Sequence, residues 1–298
     1  MMEKISVIVP IYNEANIVSD TLNHLSKIDY PDKEIILGIE PSNDKTVEIC
    51  QKLEGDYPQF RFIYNKSRLG FAKNVSNLSK LSKGTIIFKL DCDYRLYHPE
   101  KALYKTNEIF KDKRVGGISY FAGNNPKQGK TLIARGELFA NKLITDFRKS
   151  FYPIKNLTIN SFSTQIWRKN LININTEDVF LFDDEVGINL IKRGYILEED
   201  NLCDVYYVGF PQTIKNLKTQ KVREMVGWMR LSNKHNINLK KYYLGIIIYS
   251  LKNMYKYNIM DIISFMVWCG VVGYSTLLAY IKRKQTPIKL WDKFERMI

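Results

Sequence analysis

The sequence predicts an α/β protein with a mostly parallel sheet flanked by helices, followed by an apolar helical segment near the C-terminus. Over the first hundred residues, short apolar runs alternate with amphipathic stretches, and polar loops follow the apolar runs. Residues 262–281 form a run of twenty uncharged residues. Strands and helices alternating at this spacing are typical of βαβ units and parallel sheets.

The predicted elements of the first ninety residues follow one another without long gaps. They are four strands over 5–11, 34–39, 60–64 and 85–90, and three helices over 15–28, 46–53 and 71–82. Continuous apolar runs predict strands buried on both faces, and apolar positions spaced by three and four predict amphipathic helices. Gly84 is expected to close the third helix. Ligands bind at the carboxyl ends of strands in such sheets, which is where the polar loops fall.

The middle of the chain, residues 115–236, is less regular. Its apolar spacing predicts one helix over 131–147 and another over 185–193, the second ended by Gly194. No internal repeat or low-complexity linker interrupts the sequence.

The cysteines and the N-terminus indicate a cytosolic setting. Cys50, Cys92, Cys203 and Cys269 lie far apart, without the spacing of a metal site or a disulfide framework, so we expect reduced thiols. Because the chain runs from Met1 directly into an apolar strand, we expect no secretory signal.

The formal net charge of +14 is concentrated in the last third of the chain. Residues 212–298 contain sixteen Lys or Arg and four Asp or Glu, which leaves the rest of the protein almost neutral. Since this charge brackets two apolar segments, it favours contact with anionic lipid headgroups over nucleic-acid binding. We therefore expect a membrane as a partner and no nucleic acid, although the charge alone keeps nucleic-acid binding as a third reading.

The C-terminal apolar segment has two interpretations. Residues 262–281 are long enough to cross a bilayer, and 242–251 form a shorter apolar run. A single span would place the basic residues 282–284 outside, against the positive-inside tendency, whereas a re-entrant hairpin or helices lying in the interface avoid that conflict. The alternative is a buried helical hairpin of a soluble protein.

Asp91 and Asp93 follow the fourth predicted strand. Two carboxylates two residues apart on extended backbone point to the same side, so both can face one ligand. Oxygen ligands of this kind suit Mg²⁺ or Mn²⁺, which leave positions open for phosphate oxygens. The alternative is an ordinary solvated turn.

Four motifs in register carry a resemblance to a known family. They are VIVPIYNE at 7–14, SNDKT at 42–46, RLGFAKN at 68–74 and KLDCD at 89–93. Their order and spacing resemble the family 2 glycosyltransferases, an inverting group with the GT-A, Rossmann-like nucleotide-sugar fold. The resemblance covers residues 5–98 and continues more loosely to about residue 230. It implies a nucleotide-sugar donor and a divalent metal.

The resemblance implies that Pro10, Tyr12 and Glu14 form the pocket for the nucleotide base. Glu40 falls where the family usually has an aspartate that hydrogen-bonds the base, so a longer carboxylate must reach the same donor.

The same resemblance places Lys73 near the diphosphate, although a surface lysine on a helix is the alternative. It implies that Asp91 contacts the ribose or the metal and that Asp93 is the main metal ligand.

A second acidic cluster, DDE at 183–185, precedes a predicted helix that ends in Gly-Tyr. This resembles the family's Glu-Asp motif, with Asp183 as the catalytic base and Phe182 where a glutamate is usual. Asp184 is the substitute candidate for the base. A carboxylate at a helix N-terminus is also a favourable cap without any catalytic role.

A third element, QKVREMVGW at 220–228, resembles the Gln-x-x-Arg-Trp box of membrane-embedded family members, with Glu224 in place of the tryptophan. Gln220 and Arg223 are the corresponding candidates, and Arg223 could stabilise the leaving diphosphate. The alternative is an amphipathic basic helix on a membrane surface.

The resemblance therefore implies an inverting transferase that moves a sugar from a nucleotide diphosphate donor, UDP favoured and GDP possible, to a membrane-associated acceptor. A polyprenyl phosphate, a lipid or a lipid-linked glycan is expected as acceptor, at the cell membrane with the catalytic domain in the cytoplasm. Residues 1–115 are expected to bind the donor, 116–236 the acceptor, and 237–298 the membrane. The alternative is a catalytically inactive sugar- or lipid-binding scaffold with the same fold.

Overall fold

The computed structural model describes residues 2–123, 131–151, 163–208, 211–286 and 290. The chain forms two compact units. The α/β unit comprises Met1–Gly123 and Phe162–Val208, and the helical unit comprises Asn124–Ser161 and Gly209–Met297. The three-part division of function expected from the sequence stays a prediction.

The sheet of the α/β unit has, among the described residues, eight strands in the order β3-β2-β1-β4-β7-β6-β8-β5. Their bounds are β1 Ile5–Ile11, β2 Lys33–Ile39, β3 Phe60–Tyr64, β4 Ile86–Lys89, β5 Tyr94–Leu96, β6 Val115–Gly123, β7 Ile166–Arg168 and β8 Ile196–Tyr207. The first four strands pair in parallel, as do β6 and β8, whereas β7 and β5 run antiparallel to their neighbours. The predicted mostly parallel sheet is confirmed.

The helices of the α/β unit alternate with its strands. They are α1 Val18–Leu25, α2 Thr46–Leu53, α3 Phe71–Leu81, α4 Pro99–Ile109 and, after α5 of the other unit, α6 Phe182–Lys192. The helices α2 and α3 begin where the sequence predicts them, while α6 begins three residues earlier than predicted. Asp183 therefore lies in the first turn of α6 and not before it.

The central strand β1 is apolar on both faces because helices cover both sides of the sheet. Val7 and Val9 belong to one buried cluster with residues of α1 and α4. Ile8 belongs to a second buried cluster with Val75 of α3 and Val186 of α6. Burial on both faces explains why this strand has a continuous apolar run and no alternation.

Glycine is required at positions 194 and 84 for different structural reasons. Gly194 follows α6 with φ +81°, a conformation that L side chains rarely adopt, and so it ends that helix as predicted. Gly84 does not close α3, which ends at Leu81. A Cβ at Gly84 would lie 2.4 Å from the Ser6 hydroxyl oxygen, so close approach to β1 requires this glycine.

The helical unit contains α5 Leu132–Phe151, α7 Ile214–His235, α8 Leu239–Asn253 and α9 Ile259–Lys282. Both α5 and α7 pack against α9, and α8 packs against α5. By length and composition, α9 is the one helix within the described residues that could cross a membrane. The predicted apolar C-terminal helix is confirmed.

Candidate functional site

The loop after β4 is a turn, because the strand ends at Lys89 and the Tyr94 N–H donates to the Asp91 carbonyl oxygen at 3.0 Å. The expectation that Asp91 and Asp93 project from extended backbone is wrong for this reason. The two carboxylates have different surroundings: the side chain of Asp91 is 24% exposed, whereas Asp93 is 1% exposed. Asp91 is the more accessible of the pair.

The buried side chain of Arg95 stabilises the backbone of this turn. The Arg95 guanidinium donates to the carbonyl oxygens of Cys92 and Tyr94, each at 2.8 Å, and pairs with Asp20 at 2.8 Å. The Thr21 hydroxyl donates to the same Cys92 carbonyl at 2.8 Å. Contacts from α1 therefore fix the backbone that carries Asp91 and Asp93.

Lys89 joins the two acidic motifs. Its ammonium lies 3.0 and 2.9 Å from the two carboxylate oxygens of Asp91 and 2.8 Å from Oδ2 of Asp183, and its side chain is fully buried. Asp91 and Asp183 are 92 positions apart in the sequence, yet one ammonium group contacts both. We call Lys89, Asp91 and Asp183 the lysine–carboxylate cluster.

The charges in this cluster depend on one another. Burial by itself lowers the pKa of Lys89, but the carboxylates of Asp183 and Asp91 outweigh it, so the pKa is raised and the lysine stays charged. Burial raises the pKa of Asp183, Lys89 opposes this and Asp91 adds to it, and the resulting pKa is about 6. Asp183 is thus ionised at neutral pH and still takes up a proton more readily than an ordinary aspartate, as a general base requires.

The position of Asp183 is set by the backbone around α6. The Thr164 N–H donates to the Asp183 carbonyl oxygen at 3.0 Å. The preceding residue, Phe182, is 2% exposed and its ring lies 5.9 Å from the ring of Trp167. Phe182 is therefore a core residue, and of these two positions Asp183 is the one that offers a carboxylate to Lys89. Asp184, the substitute candidate, is 8% exposed, and it is Asp183 whose carboxylate meets Lys89.

A second group of side chains lies at the ends of β1 and β2. The Arg68 guanidinium lies 4.0 Å from the ring centre of Tyr12, and its Nε lies 3.9 Å from Oε2 of Glu40. The Leu69 N–H donates to Oε1 of Glu40 at 3.2 Å. Burial raises the pKa of Glu40, and Arg68 lowers it. The structure thus brings the predicted Tyr12 and Glu40 together through Arg68.

The other residues predicted for the donor pocket occupy neighbouring positions. Pro10 lies in β1 opposite Gly38 of β2. Glu14 is 6% exposed, and its backbone N–H donates to the Thr46 hydroxyl oxygen at 2.7 Å. Lys73 is exposed on α3. Their roles stay predictions.

Gln220 and Arg223 lie in α7, in the helical unit. The Gln220 side-chain amide donates to Oε1 of Glu224 at 2.9 Å, so the residue that replaces the expected tryptophan holds the glutamine. The catalytic assignment of Gln220 and Arg223 stays a prediction.

Sequence reasoning assigned no role to Lys89, Arg68 or Arg95. A signal for Lys89 was present, because a lysine interrupts the apolar run of β4 and lies two residues before Asp91. Residues two apart on a strand face the same side, so Lys89 was a candidate partner for that carboxylate. No comparable pattern marked Arg95, whose partners come from α1 and from the backbone of its own turn.

The donor chemistry of Asp91 and Asp93 suits Mg²⁺ or Mn²⁺, since both ions prefer carboxylate oxygens. Within the described part of the chain, no group of three or more His, Cys, Asp or Glu is arranged to hold an ion. The Lys89 ammonium contacts both oxygens of Asp91. A cation at Asp91 would therefore share that carboxylate with Lys89, and a phosphate-bearing ligand would have to complete its coordination.

A family model described as glycosyl transferase family 2 matches residues 6–182. The chain is 28% identical over 247 residues to chondroitin synthase from Pasteurella multocida, an alignment that covers 80% of this chain and 24% of that protein. The chain therefore spans about a quarter of the length of this relative.

Two solved structures are similar in fold. The mannosyltransferase PcManGT from Pyrobaculum calidifontis, in complex with GDP-Man and Mn²⁺, aligns with a TM-score of 0.64 and 16% identity over 98% of this chain and 88% of that one. Glucosyl-3-phosphoglycerate synthase from Mycobacterium tuberculosis, in complex with Mn²⁺, UDP and glucosyl-3-phosphoglycerate, aligns with a TM-score of 0.52 and 18% identity over 79% and 81%. The predicted GT-A fold is confirmed.

Proposed function

Because the chain belongs to glycosyl transferase family 2, we propose that it transfers a sugar, with inversion, from a nucleotide diphosphate donor to a membrane-associated acceptor. The observation that carries the proposal is the lysine–carboxylate cluster. It places Asp183, the predicted base, and Asp91, the predicted ligand of the donor, on one ammonium group.

The donor's base is proposed to bind beside Tyr12 and Glu40, between Pro10 and Glu14. The Tyr12 ring already stacks with Arg68, and an aromatic face of this kind can also accept a nucleobase. UDP is the favoured nucleotide and GDP the second. Lys73 is exposed and near the start of α3, where a lysine can contact a diphosphate.

Asp93 and Asp91 are the residues proposed to hold Mg²⁺ or Mn²⁺. When bound, such an ion neutralises negative charge that accumulates on a departing diphosphate. Lys89 keeps the Asp91 carboxylate in one orientation through contacts with both of its oxygens.

Asp183 is proposed as the general base. It accepts the proton of the acceptor hydroxyl while that oxygen bonds to the anomeric carbon from the face opposite the diphosphate. The bond from the anomeric carbon to the phosphate oxygen breaks, and its electron pair leaves with the nucleoside diphosphate. Attack from the opposite face inverts the configuration. Arg223 and Gln220 are proposed to stabilise the leaving group.

The acceptor is proposed to be a polyprenyl phosphate, a lipid or a lipid-linked glycan, since the apolar α9 and the basic C-terminal region favour a membrane location. The catalytic unit would then face the cytoplasm. This part of the proposal rests on composition and on α9, not on a recognition motif.

The test is release of nucleoside diphosphate from UDP-glucose, UDP-N-acetylglucosamine, UDP-galactose and GDP-mannose, each with Mn²⁺, Mg²⁺ or EDTA, in the presence of polyprenyl phosphate. We expect release from one donor that requires a metal. Asp183→Asn should lower transfer by about 10²- to 10⁴-fold and leave donor affinity unchanged.

Asp184→Asn is the matched variant, because it removes one carboxylate from the next position of the same helix. Loss of transfer in Asp184→Asn with full transfer in Asp183→Asn would move the base to Asp184. A folded wild-type protein that binds a donor and releases nothing with either metal would favour the scaffold.

A further inference from the structure

The helix α9 has one exposed apolar face along its whole length. Six of its exposed large side chains recur at spacings of three, four and eight residues, which places them on one stripe. They are Ile259, Ile263, Met266, Tyr274, Leu277 and Ile281, each between 41% and 74% exposed. We call this stripe the apolar face.

Exposed apolar side chains are concentrated around this helix. Of the twenty-one exposed large hydrophobic residues in the described part of the chain, eight lie on α9 and five lie on the preceding segment between Leu244 and Tyr255. Soluble monomers rarely expose a contiguous apolar surface of this extent, so the apolar face indicates an interaction site.

The opposite side of α9 is fixed to α5 and α7 by small and polar residues. Ser264, Ser275 and Ala279 are fully buried, and a Cβ at Gly136 of α5 would lie 2.4 Å from the Ser264 carbonyl oxygen. Near one end, Asp261 accepts from the Arg135 guanidinium at 2.7 Å. These contacts leave the apolar face as the free side of the helix.

Trp268, near the middle of α9, donates its indole N–H to Oε2 of Glu137. The other carboxylate oxygen of Glu137 accepts from the Lys221 ammonium at 2.8 Å. At the far end of α9, the Arg230 guanidinium donates to the Arg283 carbonyl oxygen at 2.9 Å. Charged residues of α5 and α7 thus contact α9 near its start, near its middle and just beyond its end.

This packing conflicts with a transmembrane path for α9. The helix α7 carries six Lys or Arg and one Glu, and it would be drawn to the depth of the acyl chains if α9 crossed the bilayer. Each charge at the bilayer centre weakens insertion on the order of 100-fold. A helix that lies in the plane of the membrane keeps α5 and α7 on the water side and still covers the apolar face.

The ends of α9 carry the residues that favour an anionic membrane surface. Lys252 and Lys256 precede the helix, and Arg283 and Lys284 follow it, all four exposed. The Arg283 guanidinium lies 3.8 Å from the ring centre of Tyr280. Exposed basic side chains beside tyrosines are typical of helices at the headgroup level of anionic bilayers.

We propose that α9 lies flat in the surface of an anionic lipid bilayer, with the apolar face toward the acyl chains, and does not cross it. The inference deepens the membrane attachment given under the proposed function, but it is independent of the transfer reaction. An inactive protein would give the same answer in the experiment below.

The test measures the depth of nitroxide labels along α9 in vesicles of phosphatidylcholine and phosphatidylglycerol. Labels are placed one at a time at Ile263→Cys, Met266→Cys, Tyr274→Cys and Leu277→Cys, in a protein carrying Cys203→Ser and Cys269→Ser. Cys50 and Cys92 are buried, and the unlabelled background confirms that they stay unmodified. Leu81→Cys, an exposed apolar position of α3, is the matched control.

We expect all four α9 labels at one shallow depth, about 5 to 10 Å below the headgroups, and the Leu81 label outside the bilayer. A profile that deepens toward the middle of α9 and becomes shallow at both ends would overturn the proposal in favour of a span. Labels that all remain in water, or a dimer that covers the apolar face in the absence of lipid, would overturn it in favour of a protein contact.

A second measurement uses co-sedimentation with the same vesicles. Met266→Asp combined with Leu277→Asp should reduce binding by at least about 10-fold, while Leu81→Asp should not change it. Unchanged binding of the double variant would show that the apolar face is not the attachment site.

Discussion

Both units of this protein bury a lysine between two carboxylates, but the surroundings differ. In the α/β unit Lys89 contacts Asp91 and Asp183, whose side chains are 24% and 17% exposed. In the helical unit Lys221 contacts Glu137 and Glu224, whose side chains are 3% and 26% exposed.

The second oxygen of Glu137 accepts from the Trp268 indole and that of Glu224 accepts from the Gln220 amide, so each carboxylate oxygen of this cluster has a side-chain donor. The cluster of the α/β unit lies where β4 and α6 meet polar loops, and solvent reaches its two carboxylates. The comparison teaches that one arrangement of charges serves two purposes. With a side-chain donor on each carboxylate oxygen, the cluster of the helical unit joins α5, α7 and α9. At the strand ends both carboxylates are accessible to a ligand.

The largest effect on stability should come from Lys221→Met. This change leaves Glu137 buried without its ammonium partner, and breaking a buried ion pair in this way costs about 3 to 5 kcal/mol of unfolding free energy. Urea unfolding followed by circular dichroism measures it. Activity of the folded fraction should fall less than in Lys89→Met, because Lys221 reaches the proposed leaving-group residue Gln220 only through Glu224. A variant of wild-type stability would refute the fastening role.

Lys89→Met should lower activity more strongly than Lys221→Met does. Because Lys89 orients Asp91 and Asp183, its loss should lower kcat by about 100-fold, the size expected for reacting groups displaced by about 1 Å. Steady-state release of nucleoside diphosphate measures it, and the KM for the donor should change far less than kcat. Equal losses of kcat in Lys89→Met and Lys221→Met would contradict the proposal that only the cluster of the α/β unit orients the reacting groups.

The close approach of α5 to α9 gives a smaller effect. In Gly136→Ala the added methyl group meets the Ser264 carbonyl, so we expect a loss of about 2 kcal/mol from overpacking. Thermal unfolding measures the change. Gly270→Ala, on the same helical pair but with no atom within 4 Å of the added Cβ, is the control and should not destabilise. Destabilisation by both substitutions would indicate a general effect of Gly→Ala in this unit.

The smallest expected effect is a pH dependence of the stability of the α/β unit that comes from His24. His24 of α1 accepts from the Leu96 N–H at 2.9 Å. Burial, Arg95 and Lys27 together lower the pKa of His24, Asp20 opposes them, and the resulting pKa is about 4. Since the folded pKa is depressed, the contribution of His24 to stability is full above the unfolded pKa of about 6.5 and is lost as pH falls toward 4.

Between pH 7 and pH 5 this loss should be about 1 kcal/mol, after allowance for partial solvent screening. Denaturant unfolding at the two pH values measures it, and His24→Gln should lose that part of the pH dependence. The same pH slope in wild type and His24→Gln would contradict the assignment.

Much of the α/β unit was predictable from local pattern. The strands β1 to β4 and the helices α2 and α3 follow apolar runs and apolar spacings that are visible in the sequence, and Gly194 ends α6 as expected. The start of α6 was missed because Phe182 faces Trp167 in the core, a contact between distant segments that helix propensity does not encode.

The candidate site was predictable as a set of residues but not as an arrangement. Asp91 and Asp183 were identified from the motifs around them. Their meeting at Lys89 was not predicted, because the partners of a buried lysine are set by which strands and helices become neighbours. The path of α9 is a similar case, since its length and apolar composition alone allow a membrane span.

The sequence by itself determined the alternating elements, the acidic motifs and an apolar helix near the C-terminus, because each depends on residues close together in the chain. Only the tertiary structure decided that Lys89 unites two acidic motifs and that α9 is bordered by the charged residues of α5 and α7. Those outcomes depend on contacts between residues far apart in sequence, and the energy of a buried charge depends on everything that surrounds it.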